Sequence, residues 1–466
     1  NNVPGNNLIN SLPKRKQGLA GRLSYAYDGK YMAEVNMGYN GSENFAKGHR
    51  WGFFPSIALG YNISEESFFE PLRKVITSMK LRGSWGLVGN DQIGGERFIY
   101  MPTINLSGKG FTTGIDQNYG LSGPVYTRYE NNSITWEVGE KINLGIDLQL
   151  LNSLNIVVDI FRETRRDIFQ KKGTIPTYLG TGNTDVFGNL AEMKNQGLDL
   201  SIDYNKAFSK DFYMNFKGTF TYAHNEITKY DEAPKYAFQS KVGQSANVSQ
   251  GYLSNGLFLD EAEIDRYNQQ MGSTLGAGDI KYLNVSNMHG YGDDIVDVDD
   301  WTWIGNPTVP EIVYGFGPSF KYKNWDFSFF FQGVAKTSLF MSGFHPFGDN
   351  SLRNVLQFVA NDRWSPTNQN VDAKYPRLTR KTSLNNTNPG NSGRTSDYWM
   401  RDGSFLKLKN MELGYTFKRM RFYISGSNLL TFSKFDLWDP EQGGGSGLKY
   451  PTQRVFNVGF QMTFNN

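Results

Sequence analysis

Along most of its length this chain alternates apolar and polar residues with period two, the spacing of side chains on a β-strand. The pattern is plainest near the end. There Phe456, Val458, Phe460, Met462 and Phe464 fall on one face of an extended strand, and Asn457, Gly459, Gln461 and Thr463 fall on the other. A soluble sandwich uses that pattern with the oily face inward. A transmembrane barrel turns the oily face to lipid and the polar face to a wet lumen. A last strand that closes on an aromatic favours the barrel.

The same alternation predicts strands throughout. Leu23, Tyr25 and Tyr27 alternate with Arg22, Ser24 and Ala26; after the turn dipeptide Asp28-Gly29 the series Tyr31, Ala33, Val35, Met37 and Tyr39 returns, giving a tight hairpin. Further segments run from Ile57 to Ile63, Met79 to Leu87, Ile142 to Leu148, Leu154 to Ile160, Leu198 to Tyr204 and Phe212 to Tyr222. Tyr314 to Tyr322, Phe327 to Phe331, Met411 to Phe417 and Met420 to Ile424 follow. In all there are about fourteen crossings, each close to the roughly 9 to 11 residues that a tilted strand needs to span hydrocarbon.

The connections separate sandwich from barrel. Short turns at Asp28-Gly29, 151–153, 207–210, Lys323-Asn324 and Lys418-Arg419 alternate with long connections at 89–133, 163–194, 260–309, 336–403 and 429–452. Outer-membrane barrels have this asymmetry, with short periplasmic turns and long outer loops. Tyr25, Tyr27, Tyr204, Tyr322, Trp325, Tyr415, Phe417 and Phe464 gather at the short-turn end, as an interfacial girdle does. An ascent from Gln250 to Leu259 requires a preceding descent, placed at Tyr236 to Val242. The connection 89–133 has room for extra strand beyond the membrane. Helical patterns at Asp260 to Asn268 and Leu352 to Trp364 are assigned to the outer loops.

Composition changes this picture little. With 48 basic and 45 acidic residues, a net charge of +3 gives no overall field for nucleic acid or an anionic membrane surface. The absence of cysteine excludes a disulfide framework and a thiolate metal site. Apolar runs such as Phe329-Phe330-Phe331 fall far short of the roughly 18 residues of a membrane helix. Aromatic content of 15% and 51 glycines suit girdles, turns and small lumen-facing residues. Asn1 to Lys16 is polar and carries no signal peptide. Residues 1–16 are therefore read as a loop leading into the barrel and 17–466 as its C-terminal strands, with further chain expected upstream.

Several runs carry a family resemblance. They include Phe45-Ala46-Lys47-Gly48-His49-Arg50-Trp51-Gly52-Phe53-Phe54-Pro55-Ser56, Lys80-Leu81-Arg82-Gly83-Ser84-Trp85-Gly86 with Gly89-Asn90, and Thr135-Trp136-Glu137. Later runs are Gly278-Asp279-Ile280-Lys281-Tyr282, Ile304-Gly305-Asn306-Pro307 with Tyr314-Gly315-Phe316, and Phe405-Leu406-Lys407-Leu408-Lys409-Asn410. Asn428-Leu429-Leu430-Thr431-Phe432, Asp439-Pro440-Glu441 and Tyr450-Pro451 complete them. At these residues the chain resembles the SusC/RagA family of TonB-dependent outer-membrane transporters of Bacteroidetes. The resemblance implies an all-β fold, the C-terminal part of a 22-stranded transmembrane antiparallel barrel with a plugged lumen. It also implies import of glycans or peptides across the outer membrane of a Gram-negative bacterium. Its partners would be a SusD-like surface lipoprotein and, through an upstream segment, TonB. A non-transporting structural barrel in an outer-membrane assembly fits the same residues, because plug and TonB box lie outside this sequence.

Candidate chemistry is sparse. Trp301, Trp303, Tyr398, Trp399 and Trp438 lie in or beside long connections, where an aromatic ring stacks on a sugar, packs a partner or simply anchors a loop. Asp293, Asp294, Asp297, Asp299 and Asp300 form an acidic cluster. Asp293, Asp297 and Asp299 are the oxygens a calcium ion would use. Family members carry a calcium-loop-like run here; Asn284-Val285-Ser286-Asn287-Met288-His289 departs from it, and EF-hand spacing is absent, which favours a solvated loop and no cofactor. His49, His224, His289 and His345 are scattered, with no nucleophile elbow, Walker loop or dinucleotide fingerprint, so no enzymatic activity is expected.

Overall fold

Among the described residues the alternating segments build a wall of thirteen strands, hydrogen-bonded in the order in which the chain supplies them. They are β1 (Lys16–Tyr27), β2 (Tyr31–Ser42), β3 (Trp51–Asn62), β4 (Ile76–Asn90), β5 (Glu137–Leu150), β6 (Leu154–Lys171) and β7 (Phe187–Ala207). Then come β8 (Phe212–Lys229), β9 (Ile312–Tyr322), β10 (Trp325–Ala335), β11 (Phe405–Phe417), β12 (Met420–Ser433) and β13 (Val455–Met462). The computed structural model describes residues 13–94, 97–179, 184–267, 269–270, 275–291, 293–342, 355–378 and 395–464. Two compact units emerge: 1–201 with 223–233 and 241–244, and 202–222 with 234–240 and 245–466.

In the first unit, Asp28 and Gly29 both take positive φ, 51° and 65°, as a type I′ hairpin turn requires. That turn sets the pairing of β1 with β2, which runs without a bulge from Tyr27 opposite Tyr31 to Lys16 opposite Ser42. The register leaves Leu19 and Leu23 more than 70% exposed on one face. Slipping it by one residue would put Arg22 and Ser24 there instead. At the turn end Tyr31 stacks on Tyr27 and on Tyr61, with ring centroids 6.5 and 5.1 Å apart.

The connection at 163–194 is shorter than its sequence suggests. The ladder continues through polar residues, with Arg162 opposite Ile142 and Arg166 opposite Val138. Cross-strand ion pairs support it, Lys141 to Glu163 at 3.7 Å and Arg166 to Glu140 at 3.2 Å. Hydropathy fades where the strands leave the apolar band, yet backbone hydrogen bonding does not. Pairing likewise continues to Asn90 at the end of β4 and to Ser433 at the end of β12. Within 89–133, Thr103–Thr113 and Tyr119–Arg128 form a separate two-stranded sheet.

In the second unit, β8 pairs directly with β9, Phe212 opposite Tyr322 through Tyr222 opposite Ile312. No descent exists at Tyr236 to Val242, where Ala237–Gln239 makes a turn of 3-10 helix. The ascent at Gln250 to Leu259 is also corrected. Ser249–Gly251 pairs with Thr302–Ile304, and Ser254–Leu257 with Ile280–Tyr282, away from the wall. Tyr252, Leu257 and Phe258 are apolar because they are buried, at 1%, 0% and 0% exposure, and period two does not distinguish a buried face from a lipid-facing one. The whole span between β8 and β9 is thus one excursion. The expected helix near Asp260 is present as Glu261–Arg266, capped by the Asp260 carboxylate on the Glu263 amide at 2.7 Å. Of the second helical pattern, Gln357–Asn361 is helical and 352–354 lie outside the described residues.

On β13, Phe456, Val458, Phe460, Met462 and the following Phe464 are 73%, 88%, 54%, 46% and 79% exposed, a continuous bare apolar row. Near the short turns of this unit Phe208 stacks on Phe212, and Trp325 packs against Tyr415 with centroids 4.7 Å apart. No described helix is long and apolar enough to cross a membrane.

Candidate functional site

The face opposite the apolar rows carries fixed charge in a repeated arrangement. In the first unit Arg82 donates to both carboxylate oxygens of Asp147 at 2.8 to 3.0 Å and to Asp159 at 2.9 Å. Gly145 faces Arg82 in the register, and a Cβ there would stand 2.5 Å from Asp159 Oδ1 and 2.8 Å from Arg82 Cζ. In the second unit Arg421 bridges Asp326 and Glu412, with Nε to Asp326 at 3.0 Å and Nη2 to Glu412 at 2.5 Å. Gly414 opens that space in the same way, its absent Cβ lying 2.6 Å from Arg421 Nη2. Each guanidinium is shared by two acids, so each triad keeps one net negative charge in a rigid, hydrogen-bonded frame.

Above β8–β12 the long connections of the second unit fold into a globule with its own core. Tyr252, Leu257, Ile280, Tyr282 and Val296 come from the excursion after β8; Leu339, Met341, Val359, Trp364, Tyr375 and Trp399 come from the next; Phe435 comes from the connection after β12. Tyr252 and Tyr282 lie 5.2 Å apart, and Trp301 meets Tyr252 edge-on at 6.0 Å. Charge clamps fix it. Asp279, fully buried, accepts from Arg377 at 2.5 and 3.1 Å, and Lys281 reaches Glu263 at 2.8 Å.

The foot of the globule is a buried lysine. Lys407, on β11, is fully buried and donates to Asp439 and, at 2.8 Å, to Glu441; Lys409 holds the other oxygen of Glu441 at 2.6 Å. Burial works to raise the Asp439 and Glu441 carboxyls. The hydrogen bonds and charge of Lys407, joined at Glu441 by Lys409, outweigh it and hold both below the usual carboxylate range. Two runs far apart in the sequence, 405–410 and 439–441, are thus each other's electrostatic partners.

The predicted aromatics belong mostly to packing. Trp399 is fully buried in the core of the globule. Tyr398 donates to the Ala373 carbonyl at 2.8 Å, and its hydroxyl is pushed far up by burial. Trp303 donates to Ser240 O at 2.9 Å, and Trp438 to Gly443 O at 3.0 Å while packing edge-on against Phe435. Trp301 is half-buried against the core, and its indole N–H has no hydrogen-bond partner among the described residues.

The acidic cluster is likewise occupied locally. Asp297 caps the Val298–Asp300 turn in a capping box with Asp300, Asp299 pairs with Lys235, and Asp293 accepts from the Ile295 amide at 3.2 Å. Burial raises the Asp300 carboxyl above the usual range against the amides of Ser286 and Asp297, each at 2.8 Å. Among the described residues no three acidic or histidine side chains converge on a metal-sized space. Sequence reasoning missed Arg377 and Lys407 as anchors; the signal for Lys407 was a charged residue between two leucines in a β-pattern run.

At the long-connection end of the first unit a smaller cluster joins Phe45, Ile93, Ile99, Ile134 and Trp136. Trp136 donates to the Arg50 carbonyl at 3.1 Å, and Asn90 donates to Glu137 at 2.9 Å. Lys16 pairs with Asp91 at 2.7 Å. These residues tie the ends of β1 to β5 into a fixed rim.

Residues 1–429 match the family model for TonB dependent receptor-like β-barrels. Among curated relatives, TonB-dependent receptor P3 of Formosa agariphila is 27% identical over 95% of this chain and 45% of its own length. TonB-dependent receptor SusC of Bacteroides thetaiotaomicron is 28% identical over 95% of this chain and 43% of its own. The chain therefore spans a little under half the length of these relatives. Among solved structures, that of the RagAB peptide transporter superposes with a TM-score of 0.72 at 20% identity, covering 96% of this chain and 47% of that one. That likeness concerns the fold.

Proposed function

Because this chain belongs to the family of TonB dependent receptor-like β-barrels, we propose that it contributes wall strands and outer loops to an importer of glycans or peptides in the outer membrane. The fold is that of a transmembrane antiparallel β-barrel, with apolar rows against lipid and the Arg82 and Arg421 triads on the wet side. The observation that carries the proposal is the loop globule: connections with their own aromatic core and buried ion clamps are costly to order unless a precise surface is needed. Such a surface suits capture of a ligand beneath a lid. A SusD-like lipoprotein is the lid, and TonB supplies the energy through a plug segment. The names TonB-dependent receptor SusC and RagAB peptide importer, borne by similar proteins, support the dependence on TonB and the direction of transport.

Two measurements test this. Gentle detergent extraction followed by mass spectrometry should recover a stoichiometric surface lipoprotein with the barrel; recovery of the barrel alone would sink the pairing. Uptake of labelled oligosaccharides and oligopeptides by cells carrying the gene should stop when the proton gradient is collapsed. Uptake indifferent to the gradient would leave only a passive or structural barrel.

A further inference from the structure

We propose that a pocket at the long-connection end of β10 takes an apolar side chain of an extended peptide, whose backbone pairs with Gly444. This deepens the import reading above by choosing peptides over glycans, and rests on that reading for the presence of a ligand in the lumen. The pocket has a volume of about 550 Å3, within the roughly 300 to 1,000 Å3 of small-ligand sites. Gln332 and Val334 form its floor, on the face of β10 that carries Asp326 and opposite Phe327, Phe329 and Phe331. That is the wet face.

Most polar groups of its wall are already engaged. Thr337 Oγ1 donates to the Pro307 and Thr308 carbonyls at 3.1 and 3.3 Å, and Thr308 Oγ1 donates to the Asn247 carbonyl at 3.3 Å. Ser338 Oγ accepts from the Asn306 amide at 2.9 Å. Both carboxylate oxygens of Glu441 are held by Lys407 and Lys409, and with Asp439 these four side chains cancel in charge. Gln332 and Ser342 keep side-chain groups without a partner among the described residues, too few for the hydroxyls of a sugar ring. A charged side chain would lose its water and gain no counterion. What remains is apolar surface from Pro310, Val334, Leu339, Phe340 and Phe405. Phe405, 8% exposed, gives its ring to Lys407 Nζ at 5.8 Å and so offers no broad face for a pyranose to stack on.

Beside the apolar surface lies open backbone. Gly445 donates to the Phe340 carbonyl and accepts from the Ser342 amide, both at 2.8 Å, in a parallel bridge to Met341. Its neighbour Gly444 is exposed on the pocket wall, and neither its N–H nor its C=O has a hydrogen-bond partner among the described residues. A Cβ at Gly444 would stand 2.8 Å from the Phe340 carbonyl oxygen, so glycine alone lets the two segments approach this closely. An extended peptide supplies the complementary carbonyl and amide, as a strand added to an open edge does. Its side chains leave the backbone alternately to either side, and one of them enters the pocket.

The test uses the full chain in detergent and fluorescein-labelled alanine heptapeptides whose central residue is alanine, leucine, aspartate or lysine, with maltohexaose as competitor. The leucine peptide should bind roughly ten- to fifty-fold tighter than the all-alanine one, as burial of its three extra carbons requires, and the charged peptides no tighter than alanine. N-methylation of the backbone amides flanking the leucine should weaken binding by about five-fold. Val334→Trp, which fills the floor, should bring the leucine peptide to the level of the alanine one, with unchanged heat-modifiable mobility on gels confirming the fold. Equal binding of all four peptides, displacement by maltohexaose, or an N-methylated peptide that binds like its parent overturns the proposal. A folded Val334→Trp variant that keeps the leucine preference overturns it too, and the peptide series on the parent decides alone if that variant does not fold. Loss of energised uptake with the leucine preference intact would count against the import reading alone.

Discussion

Replacing Lys407 with Met tests whether the globule is held by its buried lysine. The side chain is fully buried and serves two acids, so the change leaves Asp439 and Glu441 facing each other without it. At about 4 Å a unit charge pair is worth about 4 kcal/mol at an effective dielectric near 20, and removing one partner of a buried pair costs about 3 to 5 kcal/mol. Two features lower that figure. Asp439 and Glu441 keep 18% and 33% exposure, and Glu441 retains Lys409 at 2.6 Å. We expect a local cost of about 2 to 3 kcal/mol, or roughly 30- to 150-fold faster hydrogen exchange. Suitable reporters are the amides of Gln442, Gly443 and Gly445, which donate to Asp439, Pro440 and Phe340 carbonyls. Adding Asp439→Asn and Glu441→Gln removes the stranded charges and should recover most of the protection. Exchange within three-fold of the parent in the single variant, or no recovery in the triple one, would refute the reasoning.

The same clamp predicts a pH dependence. Its carboxyls are depressed in the folded state, so its stabilisation is complete above their unfolded values and is lost as pH falls through the folded ones. Protection of 435–450 should hold at neutral pH and decay only below about pH 4, and in the Asp439→Asn variant the decay should shrink. Phe460→Arg, in the bare row of β13 and 5.1 Å from Phe422, should impair insertion by about 2 to 4 kcal/mol at mid-bilayer; unchanged heat-modifiable mobility would contradict a lipid-facing row. For sidedness, an impermeant thiol reagent on intact cells should label Gln369→Cys and spare Lys210→Cys, and the opposite pattern would invert the topology.

Much of the wall was legible in the sequence because lipid exposure and strand pleat impose the same period. Tyr27 to Tyr31, Tyr322 to Trp325 and Phe417 to Met420 are paired as the short turns require. The strand ends were not legible, since Arg162 to Arg166 pair through backbone groups that no side-chain pattern reports. Gln250 to Leu259 misled for a related reason: its apolar residues serve a protein core, and alternation does not say which apolar medium a face meets. Trp399 and Lys407 show the limit at the site. Both are chemically expressive residues, one in a long connection and one near the end of a strand, and only the fold reveals that the first is packed away and the second ties two segments together.

The shared core of the three connections has a consequence for how such proteins diversify. β8 and β9 meet in direct register, so the wall itself is indifferent to what hangs between them. The globule is not, because Tyr252, Trp399 and Phe435 arrive from three different connections and fill one interior. A chimera that exchanges a single connection would keep its strands but lose complementary partners in that interior, whereas one that exchanges all three together would carry its packing with it. The unit that keeps its packing is therefore the trio, and an exchange that splits it leaves cavities or clashes in one shared interior.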